Sequence, residues 1–205
     1  MRLIRRGLPV AAFAVLLMQT AASAATVSIQ ASNSGGTYFF SPKTANVPQG
    51  STAQWTNTGT VSHTTTSDTT MPVSWDSGTL GVGAQFSFVF SAAGKYTYHC
   101  SFHQSLGMVG TISVPVKASP PSGPAGTVFT IVVASANATG TLVYDIQKKN
   151  PGGSFAAWKT GIQSKSTTFN STGMATGTYQ FRARLRNTAT SKMTQFSVAK
   201  SISVT

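Results

Sequence analysis

The chain has 205 residues, 15 of them Lys or Arg and only 3 acidic, for a formal net charge of +12. Glutamate is absent, and the single cysteine excludes an internal disulfide. Thr, Ser, Val, Gly and Phe are abundant, which favours strands and turns over helices.

Residues 1–24 have the form of a secretory leader. Arg2, Arg5 and Arg6 precede an apolar stretch over residues 8–18, and Ala22-Ser23-Ala24 offers small residues for cleavage before Ala25. The apolar stretch is too short to span a bilayer comfortably, and no later stretch would make a transmembrane segment in the mature chain. The chain is therefore expected to be exported, to a periplasm, a cell surface or the medium.

Short strands are expected over residues 26–31, 52–56, 62–66, 85–90, 95–100 and 109–114, with Gly- or Pro-containing segments between several of them. Phe86, Phe88 and Phe90 alternate with polar or smaller residues and mark one buried face. Tyr96, Tyr98 and Cys100 share a parity, so Cys100 ends a strand with its side chain turned inward beside two aromatics. His99 has the opposite parity and is expected at the surface, outside any metal site. The Pro- and Gly-rich stretch K-A-S-P-P-S-G-P-A-G at residues 117–126 is unsuited to a central strand and reads as a linker. It divides a domain at residues 25–116 from a second at 127–205, each near the size of a small β-sandwich.

In the second domain, residues 128–133 form a nearly continuous apolar strand. Leu142, Tyr144 and Ile146 alternate with Val143, Asp145 and Gln147, and N-P-G-G at 150–153 marks a turn. Tyr179, Phe181, Ala183 and Leu185 alternate with Gln180, Arg182, Arg184 and Arg186, which sets three arginines on one strand face opposite the core. Residues 118–205 carry nine bases and one acid, Asp145. That imbalance suits attraction to an anionic cell-surface polymer, or a solvated basic face. Nucleic acid is not expected, because no nucleic-acid motif accompanies the charge.

The chemistry concentrates in residues 100–108, C-S-F-H-Q-S-L-G-M. This C-x-x-H-x-x-x-x-M spacing puts a thiol, an imidazole and a thioether on one short loop. A lone thiol in an oxidising compartment is a liability unless it is buried or bound. Metal ligation gives Cys100 a role; the alternative is a buried structural cysteine. Two histidines, one cysteine and a weak axial methionine form the ligand set of a blue-copper electron-transfer site. With His99 set aside, His63 is the histidine left to join His103. A structural zinc site would more usually use several cysteines and no methionine.

Further stretches extend the pattern: F-S-P at 40–42, P-Q-G at 48–50, Q-W-T-N at 54–57, D-S-G-T-L at 76–80, G-K-Y-T-Y-H-C-S-F-H at 94–103 and G-M-V-G-T-I-S-V at 107–114. With them, residues 36–115 resemble a plastocyanin-type cupredoxin. The resemblance implies a Greek-key β-sandwich with one type 1 copper ion near one end, held by His63, Cys100, His103 and Met108. It implies single-electron shuttling between a redox-protein donor and acceptor, with no substrate turned over by the chain itself. It also implies that His103 lies near the surface in an apolar docking patch, to which Phe102 and Leu106 would belong. Phe102 stands where many members have proline, and Thr64 where many have asparagine; the second departure bears on hydrogen bonding near the thiolate.

Residues 127–205 resemble a fibronectin type III or immunoglobulin-like module, through Y-D-I-Q-K-K-N-P-G-G at 144–153, Trp158 and G-T-Y-Q-F-R-A-R at 177–184. The expected fold class is all-β, a cupredoxin sandwich followed by a smaller immunoglobulin-like one. Two other functions use the same residues. Copper storage or delivery would require exchangeable metal, and a surface-binding structural protein would carry a vestigial site.

Overall fold

The computed structural model describes residues 24–205, so the expected leader falls, apart from Ala24, outside the described residues. Among these residues every regular element is a strand except one short 3-10 turn, and no helix is long and apolar enough to cross a membrane. The fold is all-β.

The first half builds two sheets. One contains β1 (Thr26–Ser34), β2 (Thr37–Ser41), β4 (Ser51–Asn57) and β6 (Gln85–Phe90), in the order β2-β1-β4-β6. The other contains β3 (Thr44–Asn46), β5 (Thr66–Ser67), β7 (Gly94–His99) and β8 (Val109–Val114), in the order β3-β8-β7-β5. Strict alternation in β4 and β7 turns Ala53, Trp55, Tyr96 and Tyr98 inward, all at most 1% exposed. Aromatic rings join the two sheets. Trp55 meets Tyr98 edge-on at 5.4 Å, Phe90 meets Tyr96 at 5.1 Å, and Phe40 meets Tyr98 at 4.7 Å. Cys100 follows β7 directly, and its side chain is fully buried beyond the two tyrosines.

The second half builds two more sheets. The larger has β10 (Ser122–Gly123), β12 (Leu142–Lys149), β13 (Phe155–Ile162), β15 (Gly177–Asn187) and β16 (Lys200–Val204), in the order β10-β16-β15-β12-β13. The smaller has β9 (Lys117–Ser119), β11 (Val128–Val132) and β14 (Ser166–Asn170), in the order β14-β11-β9. Phe169 of β14 packs on Tyr179 and Phe181 of β15, so the two sheets share a core.

Three features differ from the sequence-based expectation. Residues 62–66 do not form a continuous strand: His63 makes a single bridge to Leu80, and regular pairing resumes only at Thr66. The physical reason is that the Thr64 N–H leaves the ladder to donate to Cys100 Sγ at 3.3 Å. The Pro-rich stretch at 117–126 contributes β9 and β10 at sheet edges, with Pro120 and Pro121 placed between them where no ladder N–H is required. Finally, β2, β3, β13, β14 and β16 carry no strong apolar alternation; β2, β3 and β16 form against longer neighbours, and β13 and β14 against partners of equal length.

The two halves touch through main chain as well as side chains. Lys95 N–H donates to Gln195 O at 3.0 Å, Ala93 N–H to Val133 O at 2.8 Å, and Ser135 N–H to Ser91 O at 2.9 Å. Buried Gln49 spans the junction, donating to Pro115 O and Val132 O at 2.8 and 3.0 Å. Gly94 has no room for a side chain, because a Cβ there would run into Thr194.

Arg182, Arg184 and Arg186 share the outer face of β15, as the alternation requires. They are not free charges. Arg184 and Arg186 both bind Asp145, which is 4% exposed, and Arg182 donates to Gln147 while lying over the Phe155 ring at 4.1 Å. Burial raises the Asp145 pKa, but donation from Arg186, the Gly161 N–H and Arg184 outweighs it and holds the group down at about 2. A carboxylate depressed in the folded state stabilises above its unfolded pKa, and the benefit is lost as pH falls through the folded value. We expect about 2 kcal/mol of stability from this group to disappear between about pH 4 and pH 2. An Asp145→Asn variant should be less stable at pH 7 and lose less on acidification, as measured by denaturant titration.

Candidate metal centre

Three ligand-capable side chains converge beyond the end of β7. His63 Nδ1 lies 3.9 Å from Cys100 Sγ, and His103 Nδ1 lies 3.5 Å from it. One donor atom from each residue falls within 4.8 Å of the others. The set contains two imidazole nitrogens and one soft sulfur, with no carboxylate, and this composition suits copper.

Local folding explains the convergence. The loop after Cys100 closes on itself: His103 N–H donates to Cys100 O, Met108 N–H to His103 O, and Cys100 N–H to Met108 O, each at 3.1 Å. The 3-10 turn Gln104–Leu106 ends at Gly107, whose φ of +85° is left-handed and favours glycine. Met108 is thereby returned to the interior, with no exposed surface. His63 arrives from a different loop. Asn57 pins that loop by donating to Val61 O and Leu80 O, both at 2.8 Å, and by accepting the Gly59 N–H at 2.9 Å. Paired main-chain bonds between His63 and Leu80, at 3.1 and 2.8 Å, complete the anchor.

His63 is fully buried. Burial, and then the neighbouring His103, lower its pKa, so the ring is neutral near pH 7 and able to act as a ligand. His103 is half-buried and flanked by exposed Phe102 and Leu106, at 51% and 61% exposure. His99 faces away from this cluster. Its Nδ1–H donates to Asp68 Oδ1 at 2.7 Å, and that hydrogen bond occupies the nitrogen.

One participant escaped the sequence reading. Tyr38 of β2 stacks on His103 with ring centroids 3.9 Å apart and planes at 9°, and meets His63 edge-on at 6.3 Å. A tyrosine in an exposed hairpin carries no sequence signal for this, although its position two residues after the Gly35-Gly36 turn places it in the strand beside β1. An aromatic stack contributes roughly 0.5–1.5 kcal/mol beyond burial. Tyr38→Ala should therefore speed copper release to a chelator up to about tenfold, while Tyr38→Phe leaves the rate near wild type; stopped-flow transfer measures both.

Fold and site together define an all-β protein with a largely buried two-histidine, one-cysteine cluster suited to a metal ion. The chain belongs to the copper-binding proteins of the plastocyanin/azurin family, whose family model matches residues 25–115. It is 31% identical over 116 residues to the chloroplastic plastocyanin of Tetradesmus obliquus, covering 53% of this chain and 77% of that protein. It is 30% identical over 120 residues to the plastocyanin of Nostoc punctiforme, covering 52% and 85%. Among solved structures, a purple cupredoxin from Nitrosopumilus maritimus is 33% identical, with 42% of this chain and 97% of that one covered and a TM-score of 0.37. The residues present fit one copper ion of the type 1 class.

Proposed function

We propose that this chain is an exported single-electron carrier, with His63, Cys100 and His103 as the close copper ligands and Met108 as the weak axial one. The observation that supports it most is the approach of both imidazole Nδ1 atoms to one buried sulfur, at 3.9 and 3.5 Å. Bound there, copper supplies a one-electron couple between its two common oxidation states. The chain's own residues hold the ligands still. Asn57 and Leu80 fix His63, Tyr38 braces His103, the Thr64 N–H donates to Cys100 Sγ, and the closed loop fixes Met108. A site held this firmly needs little rearrangement when its charge changes, which suits electron transfer over reversible storage. Phe102 and Leu106 give donor and acceptor proteins an apolar contact around His103.

The second pair of sheets reads as an immunoglobulin-like or fibronectin type III module. The nine bases against one acid over residues 118–205 suit docking to an anionic surface polymer. The chain turns over no substrate of its own in this reading. The test is the visible spectrum and voltammetry of copper-loaded protein. An intense thiolate-to-copper band with a reversible couple supports electron transfer. Rapid loss of copper to a mild chelator, without a stable couple, would favour storage or delivery.

A further inference from the structure

Behind the sulfur lies a run of hydroxyl groups that ends on a carboxylate. Thr64 N–H donates to Cys100 Sγ at 3.3 Å, and Ser101 N–H donates to Thr64 Oγ1 at 2.7 Å. Thr64 Oγ1 lies 3.1 Å from Thr66 Oγ1, which lies 3.1 Å from Ser101 Oγ and donates to Asp76 Oδ1 at 3.2 Å. We propose that Asp76 tunes the electron affinity of the Cys100 centre by setting the direction of this Thr66–Thr64 relay, and that Thr66 and Thr64 are positioning residues for the thiolate. The inference rests on the electron-carrier reading above.

The direction follows from proton counting. A carboxylate only accepts, and a hydroxyl has one proton to give. Thr66 gives its proton to Asp76, so it must accept from Thr64 and from Ser101. Thr64 then gives its own proton to Thr66, and its oxygen is left to accept the Ser101 N–H. One charged group thus orders three hydroxyls and braces the Cys100–Ser101 peptide, while the Thr64 backbone N–H remains on the sulfur. Asp76 is itself held in place by the Gly78 N–H at 2.9 Å and by the bridge between Thr66 and Asp76. It lines an open cleft with Asp68 and Ser74 and, from the second half, Lys192.

An exposed carboxylate acting only through space would be weak and would fade in salt. The hydroxyl directions fixed by the contacts at 3.1, 3.1 and 3.2 Å do not depend on ionic strength in that way. The negative end and the ordered dipoles both favour the more positive, oxidised centre, so loss of either should raise the reduction potential. The experiment is a double-mutant cycle on the copper-loaded full chain, read by voltammetry at low and high salt, with the visible band as a second signature. Asp76→Asn and Thr66→Val should each raise the potential, the combined variant should add nothing beyond the larger single shift, and the shifts should persist at high salt. Thr66→Ser, which keeps the hydroxyl, should restore the wild-type value, and Thr66→Ala gives an independent reading should the valine variant not fold. Additive shifts, shifts abolished by salt, or an unchanged potential in the hydroxyl-lacking variants would overturn the relay. If the wild type itself shows no intense band and no reversible couple, the electron-carrier reading fails first; a normal wild type with an additive cycle sinks the relay alone.

Discussion

Cys100→Ser is expected to abolish the intense visible band and to weaken copper binding by more than about a hundredfold. Loss of a group that merely orients a ligand already reduces metal affinity by roughly 10–100-fold, so loss of the soft ligand itself must exceed that. The remaining histidines, His63 and His103, would leave a two-nitrogen site better suited to a looser, pale copper ion. The substitution replaces one buried atom with another of similar size, so circular dichroism should stay close to wild type. Titration with copper, followed by absorbance and by competition with a chelator, measures the effect. An intense band that survived the change would place the metal elsewhere.

Trp55→Ala should be the most destabilising single change in the first half. The indole is fully buried and lies against Trp75, Phe86, Phe90 and Tyr98, with ring centroids between 5.4 and 6.4 Å. Truncating a core tryptophan costs about 3–5 kcal/mol, because transfer energy and the cavity left behind add. For a protein of this size each kcal/mol lowers Tm by about 2–4 °C, so a fall of roughly 6–20 °C is expected in a thermal melt. The main-chain bonds from Lys95 to Gln195 and from Ala93 to Val133 tie the two halves together, so one transition should report both. Trp55→Phe, which keeps a ring in the cluster, should recover most of the loss.

Much of this architecture is legible in the chain before any coordinates. The shared parity of Tyr96, Tyr98 and Cys100 shows directly as three buried side chains on one face of β7 and its extension. The nine-residue loop brings Cys100 and His103 together because its length allows only a tight closure. His63 was legible only by elimination. Its approach depends on Asn57 and Leu80, whose hydrogen bonds to the His63 loop span different sequence distances that no local pattern encodes. Tyr38 and the Thr64–Thr66–Ser101–Asp76 run were hidden for a similar reason. Threonine and serine are common in this chain, and only tertiary pairing distinguishes a relay from a solvated surface. Short strands such as β3 and β5 were missed or misplaced because they exist only through a longer partner, β8 or β7.

The sole thiol of this chain has no exposed surface. A disulfide needs two Cα atoms within about 7 Å and sulfurs that can meet, which a fully buried side chain in each folded copy opposes. Oxidants and alkylating reagents meet the same barrier, since sulfur chemistry requires access as well as a reactive form. A newly folded, metal-free molecule is therefore shielded from cross-linking to its neighbours while it awaits its ion.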